Sequence, residues 1–104
     1  MTKVVEILQY RLQAGSGECF HHIMQHDSVP LHKAAGITVL EYGVSLHHPD
    51  AYYLMRRFDG MAEMEQVLQD FYRSQAWLEG PRSEIVALIE ESHRAVLPYQ
   101  PAFV

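Results

Sequence analysis

The sequence is poor in the residues that mark several classes of protein. It has a single cysteine, Cys19, so no intrachain disulfide can form and a reducing, cytoplasmic setting is expected. No apolar run approaches the roughly 18 residues of a membrane-spanning helix, and no signal-peptide core is expected at the N-terminus. The chain has only 8 basic residues and 13 acidic ones, which gives a net charge of −5. Because no basic cluster is longer than Arg56-Arg57, nucleic acid is not an expected partner.

The remaining composition is that of one small globular domain. The 104 residues are 48% hydrophobic and 20% charged, which excludes a disordered or collagen-like chain. A chain of this length can bury one hydrophobic core and has no room for a second. We therefore expect a single domain over residues 1–104.

Alternating side chains predict four strands. The predicted strands are residues 3–12, 37–46, 51–58 and a short 93–97, with a turn at 47–50 that makes the middle two an antiparallel hairpin. In the first strand, Glu6, Leu8, Tyr10 and Leu12 share one face, and Val5, Ile7, Gln9 and Arg11 share the other. Neither face is purely polar, so we expect both to be covered.

Three helices are predicted between the strands. The first covers residues 18–35, and Pro30 is expected to kink or restart it because its ring removes a backbone donor. The second follows Asp59 as N-cap and carries apolar residues from Met64 to Leu78 at spacings of three and four. The third begins after Gly80-Pro81 and is expected to end at about Ser92.

The resulting β-α-β-β-α-α-β order predicts an α+β, ferredoxin-like fold with a four-stranded antiparallel sheet. Helices would cover one face of the sheet and leave the other bare. That bare face would carry Leu8, Tyr10, Leu40 and Tyr42 or their alternates, which are too apolar for water. We therefore predict a homodimer through the sheet faces, with the tail of residues 99–104 packed on a partner.

Four stretches of the chain resemble the NIPSNAP family, within the dimeric α/β-barrel superfamily. They are residues 6–12 (EILQYRL) followed by Gly15, Pro30-Leu31 with Gly36, residues 52–58 (YYLMRRF), and Ser74-Gln75-Ala76-Trp77. The last stretch departs from the family pattern, because Ser74-Gln75-Ala76 stands where the family commonly has Asp-Pro before the tryptophan. The resemblance spans nearly the whole chain and implies a dimer whose sheets face each other in a barrel. It implies no single reaction, because relatives include cofactor-free monooxygenases, isomerases, haem-degrading enzymes and stress proteins.

Polar and aromatic residues on the predicted strands and second helix form a candidate ligand site. They are Tyr10, Tyr42, Arg56, Tyr72 and Trp77. Arg56 offers a forked set of donors to a carboxylate or enolate, and tyrosines can donate to an oxyanion. The structural alternative is that Tyr72 and Trp77 belong to the core. In that case Arg56, or Arg57 on the opposite face of the strand, pairs with Glu6 or Glu41 across the sheet.

The histidines give a weaker signal. His22 and His26 are four residues apart and share a helix face, the spacing of helical metal pairs. Without a glutamate between them or a third ligand, we interpret them as ligand-lining residues and predict no metal. The pair His47-His48 is explained by the turn that it occupies.

Two functions of different class remain open. The first is a cofactor-independent monooxygenase or a binder of a small aromatic or hydrophobic molecule, with no cofactor. The alternative is a non-enzymatic dimeric module that binds another protein. A third function, haem degradation, could use His93 or His22 as an axial ligand. The strand-1 asparagine of that family pattern is absent, since the chain contains no asparagine.

Overall fold

The computed structural model describes residues 2–99. In chain order the elements are β1 (Val4–Leu12), α1 (Gly17–Ile23), a π-helical turn (Met24–Ser28), α2 (Val29–Ala34), β2 (Thr38–Val44), β3 (Ala51–Phe58), α3 (Met61–Arg73), α4 (Gln75–Glu79), α5 (Arg82–Leu88) and β4 (Ile89–Pro98). The predicted packing of the C-terminal tail concerns residues 100–104, which lie outside the described residues.

The four strands form one antiparallel sheet in the order β2-β3-β1-β4. The central strand β1 pairs with β3 on one side and with β4 on the other. This is the ferredoxin-like arrangement, and it confirms the predicted fold class. The strands and helical regions follow one another in the predicted order, but the first and second predicted helices are divided.

The helices pack on one face of this sheet. Along β3 every second side chain is buried, from Tyr52 to Phe58, and the intervening ones are only half-buried. The main hydrophobic core joins β1 and β3 side chains such as Leu8 and Leu54 to Phe20 and Met64 of the helices. The opposite face, here called the open face, carries Val5, Ile7, Gln9, Arg11, Tyr53, Met55, Arg57, His93, Ala95 and Leu97.

The open face therefore carries the alternates of Leu8, Tyr10 and Tyr42. Leu8, Tyr10 and Tyr42 belong to or pack against the helix-side core. In β2 the register against β3 shifts between Val39 and Glu41. This irregularity puts Val39 and Tyr42 on the same side although their numbers differ by three, which strict alternation cannot anticipate.

The first helical region bends where Pro30 was expected to disturb it. The Val29 N–H donates to the Met24 carbonyl, five residues earlier instead of the four of an α-helix. This is the hydrogen bond of a π-helical turn. Pro30 follows in the first turn of α2 and has no N–H to contribute to the ladder. Gly36 then ends the helix at a φ of +77°, a conformation that glycine adopts readily.

The predicted second helix is two helices. Its N-cap is Gly60 and not Asp59, and α3 ends at Arg73. Ser74 has an extended backbone, and its hydroxyl accepts a hydrogen bond from the Trp77 N–H at 3.3 Å. The serine therefore caps a new helix, α4, which turns Trp77 into the core.

The third predicted helix corresponds to α5, which is shorter than expected. It ends at Leu88, and β4 begins at Ile89, opposite Leu12 of β1. The Leu88 carbonyl accepts a hydrogen bond from the Gln13 N–H at 2.9 Å, which joins the helix end to the end of β1. Val86 of this helix is 53% exposed.

Candidate functional site

A buried ion pair joins the two central strands. Glu6 of β1 and Arg56 of β3 lie directly opposite each other, and each is 1% exposed. Arg56 Nε donates to Glu6 Oε1 at 2.7 Å, and Arg56 Nη2 lies 2.5 Å from the same oxygen. Of the two neighbouring arginines, Arg56 is the inward one, and its carboxylate partner is Glu6 and not Glu41.

A second guanidinium group shares the same carboxylate. Arg94 of β4 donates from Nε to Glu6 Oε2 at 2.5 Å and from Nη2 to Met64 Sδ at 3.6 Å. Its side chain is half-exposed, whereas the Arg56 side chain is fully covered. Two positive charges thus meet one negative charge between sheet and helices, and the sequence analysis did not anticipate Arg94.

His32 of α2 completes the network from the helix side. Its ring contacts the Ser28 carbonyl through Nδ1 at 2.7 Å and Arg56 Nη1 through Nε2 at 3.0 Å. A carbonyl can only accept and a guanidinium can only donate, so the proton is on Nδ1 and Nε2 is the acceptor. The pKa of His32 is lowered from 6.5 to about 4, chiefly by burial; the Ser28 hydrogen bond and the Glu6 charge oppose this shift, and the Arg56 charge contributes to it. The imidazole is therefore neutral at pH 7.

Tyr72 and Trp77 connect this network to the surface. Arg56 Nη1 donates to the Tyr72 hydroxyl at 2.8 Å, and the Tyr72 ring packs edge-on against Trp77 with centroids 5.3 Å apart. Trp77 is buried, whereas Tyr72 is 37% exposed. Burial alone would lower the pKa of Arg56, but Tyr72 and Glu6 outweigh it and raise the pKa above its usual value.

Every nitrogen of Arg56 has a protein partner among these residues. Side chains thus fill the space around the guanidinium, and a ligand could reach it only by displacing His32 or Tyr72. The geometry of Arg56 is that of a structural ion pair, while a ligand role for it stays a prediction.

An open cavity lies elsewhere, at the end of the sheet beside the β2–β3 hairpin. This hairpin cleft has a volume of about 510 Å³. It is lined by Gln9, Tyr10, Arg11, Ser45, His47, His48, Asp50, Ala51, Tyr52, Tyr53 and His93. Of the residues predicted for a ligand site, Tyr10 lines it.

Asp50 fixes the floor of the hairpin cleft. Its carboxylate accepts hydrogen bonds from the N–H groups of Gly15 and Gly17, at 3.1 and 3.2 Å, and so attaches the start of α1 to the hairpin. The approach is close, because a Cβ built on Gly17 would lie 1.9 Å from the Pro49 carbonyl oxygen. The Asp50 N–H in turn donates to His48 Nδ1 at 3.0 Å, so a neutral His48 carries its proton on Nε2.

Two tyrosines of the hairpin cleft pack against the aromatic core. The Phe20 ring packs edge-on against both Tyr10 and Tyr52, with centroids 5.8 and 4.8 Å apart. The Tyr52 hydroxyl lies 2.6 Å from His21 Nδ1, and the His21 ring also packs against Tyr42. Burial raises the pKa of both Tyr10 and Tyr52, so both phenols keep their protons and act as donors.

His22 and His26 are exposed on the first helical region, with ring centroids 4.2 Å apart, which confirms that they share a face. His26 lines a separate surface groove with Asp27 and Glu84. No group of three His, Cys, Asp or Glu side chains within residues 2–99 has the arrangement of a metal site. Cys19 is exposed.

Sequence reasoning missed His32, Arg94 and the cleft histidines as parts of a site. His32 and Arg94 reach Glu6 and Arg56 from distant parts of the chain, and no local spacing connects them. His47 and His48 were interpreted as turn residues only. His93, which lines the cleft with them, belongs to β4. That strand was predicted to start at residue 93, and it starts at Ile89.

Solved structures provide the comparison for this architecture. A NIPSNAP family protein from Agrobacterium tumefaciens superposes with a TM-score of 0.86 at 16% identity, over 97% of this chain and 89% of that one. A NIPSNAP domain protein from Burkholderia xenovorans gives 0.84 at 17% identity, over 97% of each chain. The chain has the fold of these NIPSNAP proteins. No protein-family model and no curated protein matches the sequence itself.

A solved structure with a different description shares the fold with a weaker likeness. A candidate antibiotic biosynthesis monooxygenase from Nitrosomonas europaea superposes with a TM-score of 0.66 at 13% identity, over 95% of this chain and 98% of that one. Identities this low carry the fold and not the activity. No helix within residues 2–99 is long and apolar enough to cross a membrane.

Proposed function

We propose that this protein binds a small aromatic molecule in the hairpin cleft. The observation that carries the proposal is the cleft itself: about 510 Å³ of space, walled by the rings of Tyr10, Tyr52 and Tyr53. Pockets for small molecules usually measure about 300–1,000 Å³ and combine aromatic walls with a few polar groups. The polar groups here include His48 and Gln9, so the cleft meets both conditions.

We also propose that two copies associate through their open faces. Ile7 and Met55 are directly opposite each other on this face, and Ala95 is the partner of Ile7 on the other side, which makes an apolar row across three strands. A large apolar patch at the surface favours association, and a face that meets its own copy gives a closed dimer. Gln9, Tyr53 and His93 both line the cleft and lie on the open face, so a second copy would cover the cleft from that side.

The chemistry that such a cleft supports is cofactor-independent. A bound aromatic substrate that loses a proton can itself supply electrons to oxygen, so the protein needs only to exclude water and stabilise negative charge. The His48 Nε2–H and the Gln9 amide are donors among the cleft residues suited to that charge. The fold likeness to the N. europaea protein supports a monooxygenase reaction of this kind, and oxygen consumption by the protein with a bound ligand tests it.

A thermal-shift titration with flat aromatic compounds tests the binding proposal. A ligand that binds only the folded state raises the melting temperature progressively with its concentration. We expect naphthalene-sized compounds to do so for the parent and for Tyr99→Ala, whose side chain is exposed and outside the cleft. Tyr53→Ala should lose most of the shift, because its ring forms a wall of the cleft.

No concentration-dependent shift with any aromatic compound would contradict the proposal and would favour the protein-interaction module. Equal shifts in Tyr53→Ala and Tyr99→Ala would contradict the assigned site. Sedimentation of both variants should accompany the titration, since Tyr53 also lies on the open face.

A further inference from the structure

Several residues that line the hairpin cleft can donate hydrogen bonds. Arg11 contributes a guanidinium group, Gln9 an amide, and His48 the N–H on Nε2 that remains when its Nδ1 accepts from Asp50. A ligand that satisfies these groups must carry acceptors.

The one carboxylate in the cleft wall is already occupied. Asp50 is almost completely buried, and its two oxygens accept from the Gly15 and Gly17 N–H groups. It therefore holds the start of α1 and does not neutralise Arg11. The wall of the cleft thus carries one guanidinium and one carboxylate, and no ion pair joins Arg11 to Asp50 within residues 2–99.

The carboxylates that do approach Arg11 come from outside the cleft and contact it loosely. Glu90 and Glu91 lie 3.6 and 3.7 Å from its nitrogens, and all three side chains are about half-exposed or more. Direct charged hydrogen bonds measure about 2.7–2.9 Å, and exposed pairs of this kind contribute little. Glu91 is also shared with His93, at 3.3 Å. An anion held in the cleft could therefore replace these contacts at Arg11 at small cost.

We infer that the molecule held in the hairpin cleft is an aromatic carboxylate, with its ring on the tyrosine wall and its carboxylate at Arg11. This inference rests on the proposed binding function and adds the charge of the ligand to it. A planar guanidinium matches a carboxylate with two parallel hydrogen bonds, which a neutral amide of the same shape cannot reproduce. Arg11, and not the saturated Arg56, is then the arginine that recognises the ligand.

A matched pair of probes separates ring recognition from charge recognition. 2-Naphthoate and 2-naphthamide present the same ring with and without the negative charge. We expect the parent protein to bind naphthoate about tenfold more tightly than naphthamide, as measured by calorimetry. Arg11→Gln should bring the two affinities to within about twofold of each other. Arg73→Gln changes the net charge equally on an exposed residue outside the cleft and should keep the tenfold preference.

Each outcome decides one claim. If the parent binds both probes equally, the carboxylate inference is overturned while the cleft function stands. If it binds neither probe nor any other flat aromatic, the proposed function itself fails. If Arg11→Gln keeps the preference for naphthoate, or if Arg73→Gln loses it as well, the assignment to Arg11 is wrong.

Discussion

Glu6 lies opposite Arg56 across the two central strands, and its carboxylate is the only group through which Arg56 and Arg94 are joined in the described structure. One oxygen accepts from the buried guanidinium and the other from the half-exposed one. A single acidic residue thus neutralises part of a doubly positive site beneath the helices. Because a guanidinium cannot give up its proton, the charge of Arg56 stays buried whatever happens to Glu6.

Replacing that acid should therefore be costly. Glu6→Gln keeps the side-chain shape but leaves Arg56 buried without a negative partner, and we expect a loss of about 3–5 kcal/mol in the free energy of unfolding. Urea denaturation at pH 7 measures this. Glu65→Gln, on an exposed position of α3, should change stability by less than about 0.5 kcal/mol. Equal stability of the two variants would show that Glu6 and Arg56 do not form a buried pair.

The pH dependence of stability should report His32. Its pKa is lowered from 6.5 to about 4 in the folded protein, so the unfolded chain takes up a proton first as the pH falls. The His32 contribution is thus constant above about pH 6.5 and is lost as the pH falls toward 4. Between pH 7 and pH 4.5 the loss should be on the order of 2–3 kcal/mol.

Urea denaturation of the parent and of His32→Gln at both pH values isolates this contribution. Glutamine can still donate to Ser28 and accept from Arg56, but it does not titrate, so its stability should fall less between the two pH values than that of the parent. His22→Gln, on an exposed position, should fall as much as the parent. If His32→Gln and the parent lose the same stability, His32 is not a buried neutral histidine.

Two glycines provide a matched test of the contact between the hairpin and α1. A Cβ at Gly17 would lie 1.9 Å from the Pro49 carbonyl oxygen, whereas one at Gly43 would make ordinary 3.6 Å contacts with the Tyr53 ring. We expect Gly17→Ala to destabilise the protein by about 1–3 kcal/mol or more, because the hairpin must move. Gly43→Ala should be within about 1 kcal/mol of the parent. A Gly17→Ala variant as stable as Gly43→Ala would mean that the hairpin does not pack this closely.

Sedimentation equilibrium tests the proposed dimer. The parent should have twice the 12.0 kDa mass of one chain at micromolar concentration. Met55→Glu places a charge in the apolar row of the open face and should give the single-chain mass, because burying an unpaired carboxylate opposes association. Met61→Glu, on an exposed residue of α3, should remain a dimer. A parent protein that sediments as one chain would contradict the sheet-to-sheet association.

The strongly patterned elements could be predicted from the sequence, and the edge elements could not. In β3 and the second part of β1 burial alternates along the strand, so the division of side chains into two faces could be derived. Which face the helices cover, and therefore whether Arg56 or Arg57 is inward, could not be derived. The edge strand β4 has mostly exposed side chains, so burial leaves little pattern in its sequence. Ile85, Leu88 and Ile89 have helical spacing, which extended the predicted helix into residues that pair with β1.

Only the part of the site that lies on neighbouring strands of the sheet could be predicted. Glu6 and Arg56 belong to neighbouring strands of the expected sheet, which reduced the choice of partner to Glu6 or Glu41. His32 reaches Arg56 because the π-helical turn and α2 bring its ring over the sheet, and this depends on tertiary packing. The hairpin cleft likewise combines a turn, two strands and an edge strand, and none of these carries a local motif for the others.

The most direct test of ligand binding is a chemical-shift map of the parent protein titrated with 2-naphthoate. The account predicts saturable changes in the backbone amides that surround the hairpin cleft, above all those of Gln9, Arg11, Tyr53 and His93. Amides near the Arg56 network and along α3 should change little, because side chains fill that region. Changes confined to α3 and α4, or no saturable change at any amide, would contradict the claim that the hairpin cleft holds a small aromatic molecule.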